Sequence, residues 1–307
     1  MAGRIFIYRG GRVPPHVSFS SVRVDRCVSV ISGFAFYHNV SLLDVDGHDE
    51  IRRVEEHAFA LCSSLKWIVL RGARSIDYSA FYFCNQLLYV ELGAELETIG
   101  ESAFDQCTSL REVDMPSVIR IGFRAFQGTD LTELDLPEGL EAVEGYAFAG
   151  CKSLTRVSMP LKEGLIQDGV FVDCPRLARI DLIGIGEILE IVSSLHLELW
   201  RNAMKVEINQ INQVLLGGRG ADKTKLVQEW MQSVIQSINH YKEQHVTLLK
   251  EIKVILELCL WKLKLEGAID GDGRLIENRM TWRQEQRAIC SADVVIRNVI
   301  PFLMHKI

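Results

Sequence analysis

The segment IGESAFDQCTSLREVDMP, from Ile99 to Pro116, decides the fold, because each of its elements recurs along the chain at a fixed interval. Its Ala-Phe pair occurs in six places, and Val170-Phe171 fills a seventh. Successive phenylalanines of these pairs are 22 or 23 residues apart. They are Phe36, Phe59, Phe81, Phe104, Phe126, Phe148 and Phe171. A constant period of this length is typical of a solenoid, in which each repeat forms one coil.

Two further positions of the segment recur in the same phase. A strand-like stretch such as LREVDM, from Leu110, closes each repeat. Side chains alternate along a strand, so its leucine, central valine and last apolar residue are expected to point into the coil. The other recurring position lies three residues after the phenylalanine. Asn39 and Thr129 occupy it in the first and fifth repeats, and the fifth repeat is one residue shorter. In the remaining five repeats that position holds a cysteine: Cys62, Cys84, Cys107, Cys151 and Cys174.

The recurring cysteines have three interpretations. A zinc site needs four ligands around one point, which a linear ladder does not supply. Disulfides between coils are geometrically conceivable, but the lack of a signal peptide in the sequence argues against them. We therefore expect buried free thiols that pack as small apolar groups.

The repeats are expected to fold only when their coils stack on one another. One coil buries too little apolar surface by itself, whereas stacked coils share a continuous core. We predict a solenoid of about seven coils over residues 28–184, preceded by an N-terminal cap at residues 1–27. Gly100 and Gly122 are expected at the tight bend before their Ala-Phe pairs.

Residues 185–307 follow a different period and predict a helical tail. Apolar residues recur every three or four positions from Ile188 to Leu215, and again from Leu226 to Cys259. The glycine-rich residues 217–220 separate the two series, and Asp222 is placed to cap the second helix. A short connector favours a long antiparallel helical hairpin. Its apolar stripe could pair with the end of the solenoid, with a second copy or with another protein.

The repeat segment resembles the consensus of BspA-type leucine-rich repeats. The rest of the chain is similar to an expanded group of diatom and related algal proteins that carry a helical tail. The similar segments are residues 4–25, 195–215, 248–267 and 294–303. The resemblance implies an α/β fold, a leucine-rich-repeat solenoid followed by the hairpin, in an interaction protein without catalytic residues.

Composition and motifs exclude several functions. A net charge of −6 is unlike that of a nucleic-acid binder, and the sequence has no apolar run long enough to cross a membrane. The apolar stretch Ile5–Tyr8 is too short for a signal peptide, so the cytoplasm or nucleus is expected. GGRGADKT, from Gly217, lacks the glycine that a P-loop has before its lysine, and AIDGDGRLIENR, from Ala268, lacks two ligands of a calcium loop. We predict no catalytic residues, no cofactor and no metal site.

The outward strand positions are the candidate binding residues, since repeat solenoids bind partners across such a surface. Trp67 and Tyr89 would form an exposed aromatic pair. An acidic strip would lie next to them: Glu91, Glu112, Asp114, Glu133 and Asp135. The alternative that these are merely solvated positions stays open, but adjacent like charges favour a basic partner.

We therefore predict a non-catalytic protein-interaction module whose tail self-associates or docks elsewhere. Two alternatives remain from the sequence. One is a regulator or enzyme with a site at the junction of solenoid and tail. The other is a cell-surface adhesion protein.

Overall fold

The computed structural model describes residues 5–14, 17, 19–184, 202, 206, 210–216 and 222–266. In the last of these ranges the side chains of 241, 242, 245, 248 and 259–266 are not described. Contacts divide the chain into two units, 1–185 with 205–235 and 186–204 with 236–307. The division into cap, solenoid and tail at residues 27 and 184 stays a prediction.

The repeats form the coils of a β-solenoid in which all paired strands are parallel. Most coils contain one longer strand and one strand of two residues. The longer strands are β1 (Ile5–Tyr8), β2 (Ser21–Val24), β4 (Asp44–Asp46), β6 (Trp67–Leu70), β8 (Tyr89–Leu92), β11 (Glu133–Asp135), β13 (Arg156–Pro160) and β14 (Arg179–Ile183). The short strands are β3 (Val30–Ile31), β5 (Arg53–Val54), β7 (Ser75–Ile76), β9 (Thr98–Ile99), β10 (Arg120–Ile121) and β12 (Ala142–Val143).

The short strands make one continuous sheet, but the longer strands make two. The first contains β1, β2, β4, β6 and β8, and the second contains β11, β13 and β14. Residues 110–115, which the sequence predicts as the strand between them, are not a strand, so that prediction is wrong for this coil. Side-chain charge gives a physical reason. In a continuous sheet Asp114 would lie between Glu91 and Asp135, and like charges directly across strands destabilise pairing.

A column of phenylalanine rings forms the centre of the solenoid. All seven rings of the Ala-Phe series are buried. Phe59 and Phe81 are typical, with ring centroids 5.1 Å apart and planes 3° apart. The separation is widest at the last step, where Phe148 and Phe171 lie 6.3 Å apart. Each ring therefore packs on its equivalents in the neighbouring coils.

The cysteines form a second column beside the rings, and all five are buried free thiols as predicted. The Cys107 thiol donates to the Phe81 carbonyl of the preceding coil at 3.1 Å, and the other four make the equivalent bond. Burial raises the pKa of the Cys62 and Cys84 thiols well above the ordinary value. Thr129 replaces the thiol in the fifth coil and donates to the Phe126 carbonyl at 2.9 Å. The thiols of Cys62 and Cys84 are therefore held in the neutral form, and the column serves to pack one coil on the next.

The bends around each phenylalanine do not depend on the glycines named above. Residues two before and two after each phenylalanine are left-handed, for example Ser102 (φ 53°) and Gln106 (φ 60°) around Phe104. Most of these residues are not glycine. Gly100 and Gly122 instead lie against the previous coil, where a Cβ would come within 2.8 Å and 2.7 Å of main-chain atoms. They allow close approach of two backbones and do not form the bend.

The C-terminal end of the solenoid is closed by polar side chains of the tail. In most coils the phenylalanine N–H donates to a carbonyl of the next coil, but the Phe171 N–H donates to the Thr224 hydroxyl at 2.8 Å. The Ile180 N–H donates to Asn212 Oδ1 at 2.9 Å. Lys223 Nζ donates to the Pro175 carbonyl at 3.1 Å, and also to Leu177. These side chains replace the backbone groups of an eighth coil.

The capping residues belong to helical segments, residues 210–216 and the 44-residue helix α1 (Lys223–Glu266). Asp222 caps α1 as predicted, since its Oδ1 accepts the Thr224 N–H at 2.9 Å. At about 1.5 Å per residue, α1 spans roughly 66 Å. Most of the predicted first arm lies outside the described residues, so the antiparallel hairpin stays a prediction.

Candidate functional site

The outward side chains of the longer strands, of the residues just before them and of residues 110–115 form a surface that we call the strand face. On it, Trp67 lies directly opposite Tyr89, and Val69 lies opposite Glu91. The aromatic side chains are 40% and 52% exposed. The structure therefore brings the predicted aromatic pair together on adjacent strands and leaves both members accessible.

Further apolar side chains are exposed beside this pair and on the first strand of the same sheet. Leu88, beside Tyr89, is 54% exposed, and Leu43 is 38% exposed. Ile5 and Ile7 on β1 are also exposed on the same side. The sequence reasoning missed these residues, because it followed only two outward rows through the repeats. Alternation along β1 places Ile5 and Ile7 outside, but Leu43 and Leu88 each precede the first residue of a strand, where alternation gives no signal.

Most of the predicted acidic strip is neutralised by arginines. Glu91 pairs with Arg71 at 2.5 Å, and this hydrogen bond raises the pKa of the arginine. Arg156 pairs with Glu133 at 3.2 Å and with Asp135 at 3.0 Å. It also pairs with Asp181 at 2.7 Å. These carboxylates do not form the uncompensated strip that the sequence suggested.

Glu112 and Asp114 differ from the other carboxylates of the strip. Both are exposed, and neither forms an ion pair with any residue that the structure describes. They lie in the interruption between the two sheets. In the described part of the chain, the main chain of residues 112–115 makes no hydrogen bond to the strands on either side. The strand face therefore has an apolar part, two uncompensated carboxylates and a part in which charges are paired.

The repeats match a known family. Residues 16–107 and 74–192 match the model of the BspA type leucine rich repeat region, in six copies. The chain belongs to this family. BspA-type repeats generally mediate protein–protein interaction or adhesion, and the family is typically non-catalytic. The resemblance of the tail to diatom and algal proteins stays a prediction.

Several solved structures are similar to this BspA-type chain. A leucine rich cell surface protein from Faecalibacterium prausnitzii is 25% identical with a TM-score of 0.40, covering 56% of this chain and 63% of its own length. The leucine rich repeat protein of T. pallidum is 25% identical with a TM-score of 0.39, covering 52% and 68%. A leucine-rich repeat protein from Bacteroides ovatus is 18% identical with a TM-score of 0.32, covering 58% and 63%. The match thus spans about two thirds of each of these proteins. No curated protein matches the chain.

Within the described parts of this BspA-type chain, no three His, Cys, Asp or Glu side chains are placed to hold a metal ion. Lys223 and Thr224, from the motif GGRGADKT, contact the main chain of the last coil, as described above, and do not form a phosphate cradle. The motif that begins at Ala268 lies outside the described residues. No helix in the described ranges is long and apolar enough to cross a membrane.

A groove of about 560 Å³ opens beside the shortened fifth coil. Its charged side chains are balanced in sign, Arg124 and Lys152 against Asp130 and Asp173. Asp130 is already bound by Arg111 and by the Ser153 hydroxyl. The groove follows from the missing residue after Thr129, and its charges do not favour one class of ligand.

Proposed function

We propose that this chain is a non-catalytic interaction protein that binds a basic protein segment through the strand face. Trp67, Leu88 and Tyr89 supply apolar contact, and Glu112 with Asp114 supplies the charge for an arginine or lysine of the partner. The observation that carries the proposal is the position of two uncompensated carboxylates next to an exposed aromatic pair.

The groups of the strand face differ in the free energy that binding a partner costs them. Exposed aromatic side chains bury a large area at low cost in side-chain entropy, and they are enriched in binding hot spots. A carboxylate already paired with arginine must lose that partner before it can bind a new cation. Glu112 and Asp114 have no such pair to break, so they are the favoured acceptors of a partner's charge. Glu133 and Asp135 contribute less, because Arg156 holds both.

The test uses an array of synthetic peptides that combine lysine or arginine with leucine, and a matched array with acidic residues. Binding of the full chain is measured by fluorescence anisotropy. We expect basic peptides to bind, and we expect Trp67→Ala and Glu112→Lys each to weaken that binding at least about tenfold. Glu97→Lys is the matched control, since Glu97 is exposed but lies on a different part of the coil.

Failure of every basic peptide to bind, or equal loss in the Glu97→Lys control, would overturn the proposal. The first result would show that the strand face is a solvated surface. The second would show that only the net charge of the chain matters. A general effect of net charge should fall steeply with added salt, so the measurement is repeated at two ionic strengths.

The tail is proposed as a second interaction element that docks another protein or another copy. Several of the described apolar side chains of α1 beyond Ile238 are exposed, with Val254, Ile255 and Leu258 each more than half accessible. A helix that is apolar on several sides is normally covered. The segment that closes the solenoid is already occupied by that contact, so this role falls to the part of α1 beyond it.

Adhesion is the other general role of the family, and the strand face would serve it equally well. We propose the cytoplasm or nucleus as the compartment, as expected from the sequence. Fractionation of cells that produce the native protein separates the two roles, because an adhesion protein is recovered at the cell surface.

A further inference from the structure

Strand β1 is the first strand of its sheet, and one side of it is open. The Tyr8 carbonyl accepts the Asp25 N–H on the side of β2 at 2.8 Å. Main-chain groups alternate in direction along a strand, so Phe6 faces β2 as Tyr8 does. Ile5 and Ile7 therefore present their N–H and C=O groups to the open edge. In the described part of the chain no backbone group pairs with them there.

The described residues of β1 have none of the features that usually protect an edge strand. Proteins guard edge strands with proline, bulges or charged side chains, but β1 reads IFIY. Its outward residues are apolar, Ile5 60% and Ile7 52% exposed. Two described cations near this edge are already paired, Arg9 with Asp25 at 3.2 Å and Arg23 with Asp46 at 3.1 Å. The edge thus offers free hydrogen-bonding groups next to exposed isoleucines.

The two ends of the solenoid differ in this respect. At the last coil, Thr224 and Asn212 take the N–H groups of Phe171 and Ile180 that an eighth coil would have used. A second copy cannot stack its first coil there, so head-to-tail growth into a fibre is blocked. Among the sheet edges that the structure describes, β1 of a second copy offers matching groups beside exposed isoleucines.

We propose that two copies of the chain associate by antiparallel pairing of their β1 strands about a two-fold axis through Phe6. In this register Ile5 lies opposite the partner subunit's Ile7, and Ile7 lies opposite the partner subunit's Ile5. Both isoleucines carry edge-directed groups, so each of the two pairs is a hydrogen-bonded pair. All four isoleucine side chains then lie on the same side of a sheet that continues through both copies.

The small area of this contact limits the affinity of the two copies for each other. Four residues from each copy cover much less than the roughly 800 Å² per partner of a standard interface. The association is therefore concentration-dependent, and it makes the strand faces of the two copies parts of one continuous sheet. It would give the chain two equivalent binding faces, which raises avidity for a repeated partner.

Sedimentation-velocity ultracentrifugation of the full chain, from low to high micromolar concentration, tests the proposal. We expect a reversible monomer–dimer equilibrium. Ile7→Pro removes one edge-directed N–H without removing a bond to β2, as proline is tolerated on edge strands. Ile7→Lys keeps that N–H and adds a charge at the edge. Each variant is expected to weaken dimerisation at least about tenfold.

Two matched variants complete the experiment. Leu88→Lys changes an equally exposed side chain of the strand face away from the edge, and it should leave the dimer intact. Leu258→Lys changes the exposed part of α1 and should also leave it intact. Circular dichroism and thermal unfolding establish that Ile7→Lys folds as the parent does.

The proposal is overturned if the parent chain is monomeric at every concentration. It is equally overturned if the dimer survives Ile7→Lys, or if Leu258→Lys abolishes it, because the contact then lies elsewhere. A dimer abolished by Leu258→Lys would instead support self-association through the tail. None of these results bears on peptide binding to the strand face, so that proposal and this one fail separately.

Discussion

The inward and outward side chains of the same coils are under different packing constraints. Inside, one phenylalanine and, in most coils, one cysteine recur at each step, and the ring spacing stays between 5.0 and 6.3 Å from Phe36 to Phe171. Outside, successive coils carry an aromatic pair, then two free carboxylates, then an arginine network. Inner residues must fit their equivalents in the neighbouring coils, whereas outer residues need to fit only water or a partner. The inner side therefore specifies the fold, and the outer side is free to carry function.

The largest effect is expected from breaking the inner column. Phe104→Ala removes a fully buried ring that packs on Phe81 and Phe126, and such truncations cost about 3–5 kcal/mol. Tyr89→Ala is the matched control on the outer side, because its ring is 52% exposed. We expect the control to change stability by less than about 0.5 kcal/mol. Urea unfolding followed by circular dichroism measures both.

Equal losses in the two variants would contradict the distinction between the sides. They would mean that the outer aromatic ring packs as firmly as the inner column. A small loss in Phe104→Ala would instead show that neighbouring coils collapse into the space, as sites differ in how well they relax.

The same distinction explains what could be predicted from the sequence. Repetition predicts the period, the inward residues, the thiol column and the outward rows, because equivalent positions of successive coils must stack. The interruption at residues 110–115 could not be predicted from one coil, since it depends on charges in three coils. The left-handed residues carry no shared signal either: His57, Ser79 and Arg124 occupy equivalent bends with unrelated side chains. For the candidate site, the aromatic pair was placed correctly, but the pairing of Arg156 with two of the predicted carboxylates was missed.

An intermediate effect is expected where the inner column ends. Lys223 is 2% exposed and donates to two carbonyls of the last coil, so Lys223→Met leaves both without that donor. An unsatisfied buried polar group costs about 1–3 kcal/mol. Lys225→Met is the control, because Lys225 is exposed and pairs only with Glu229 on its own helix. Thermal unfolding should show a clear loss for the first variant and almost none for the second.

The pH dependence sharpens this prediction. Burial lowers the pKa of Lys223 below its ordinary value. Between that lowered pKa and the ordinary value near 10.4, the unfolded chain binds more protons than the folded chain, so stability rises with pH. The difference in stability between the parent and Lys223→Met should therefore grow as pH approaches 10. A difference that shrinks over this range would show that the folded state prefers the charged amine.

The smallest effect is expected on the outer side, from Arg156→Gln. Arg156 pairs with Glu133, Asp135 and Asp181, but the carboxylates of Glu133 and Asp135 are largely exposed, and exposed ion pairs contribute only about 0–1 kcal/mol each. We expect a loss of stability of no more than about 1–2 kcal/mol that decreases with added salt. The same change frees carboxylates on the strand face, so binding of basic peptides should become stronger at low ionic strength. Unfolding and anisotropy measured on one preparation give both results. A large loss of stability with unchanged binding would mean that the arginine network holds the last coils together, and the outer side would then share the structural role of the inner one.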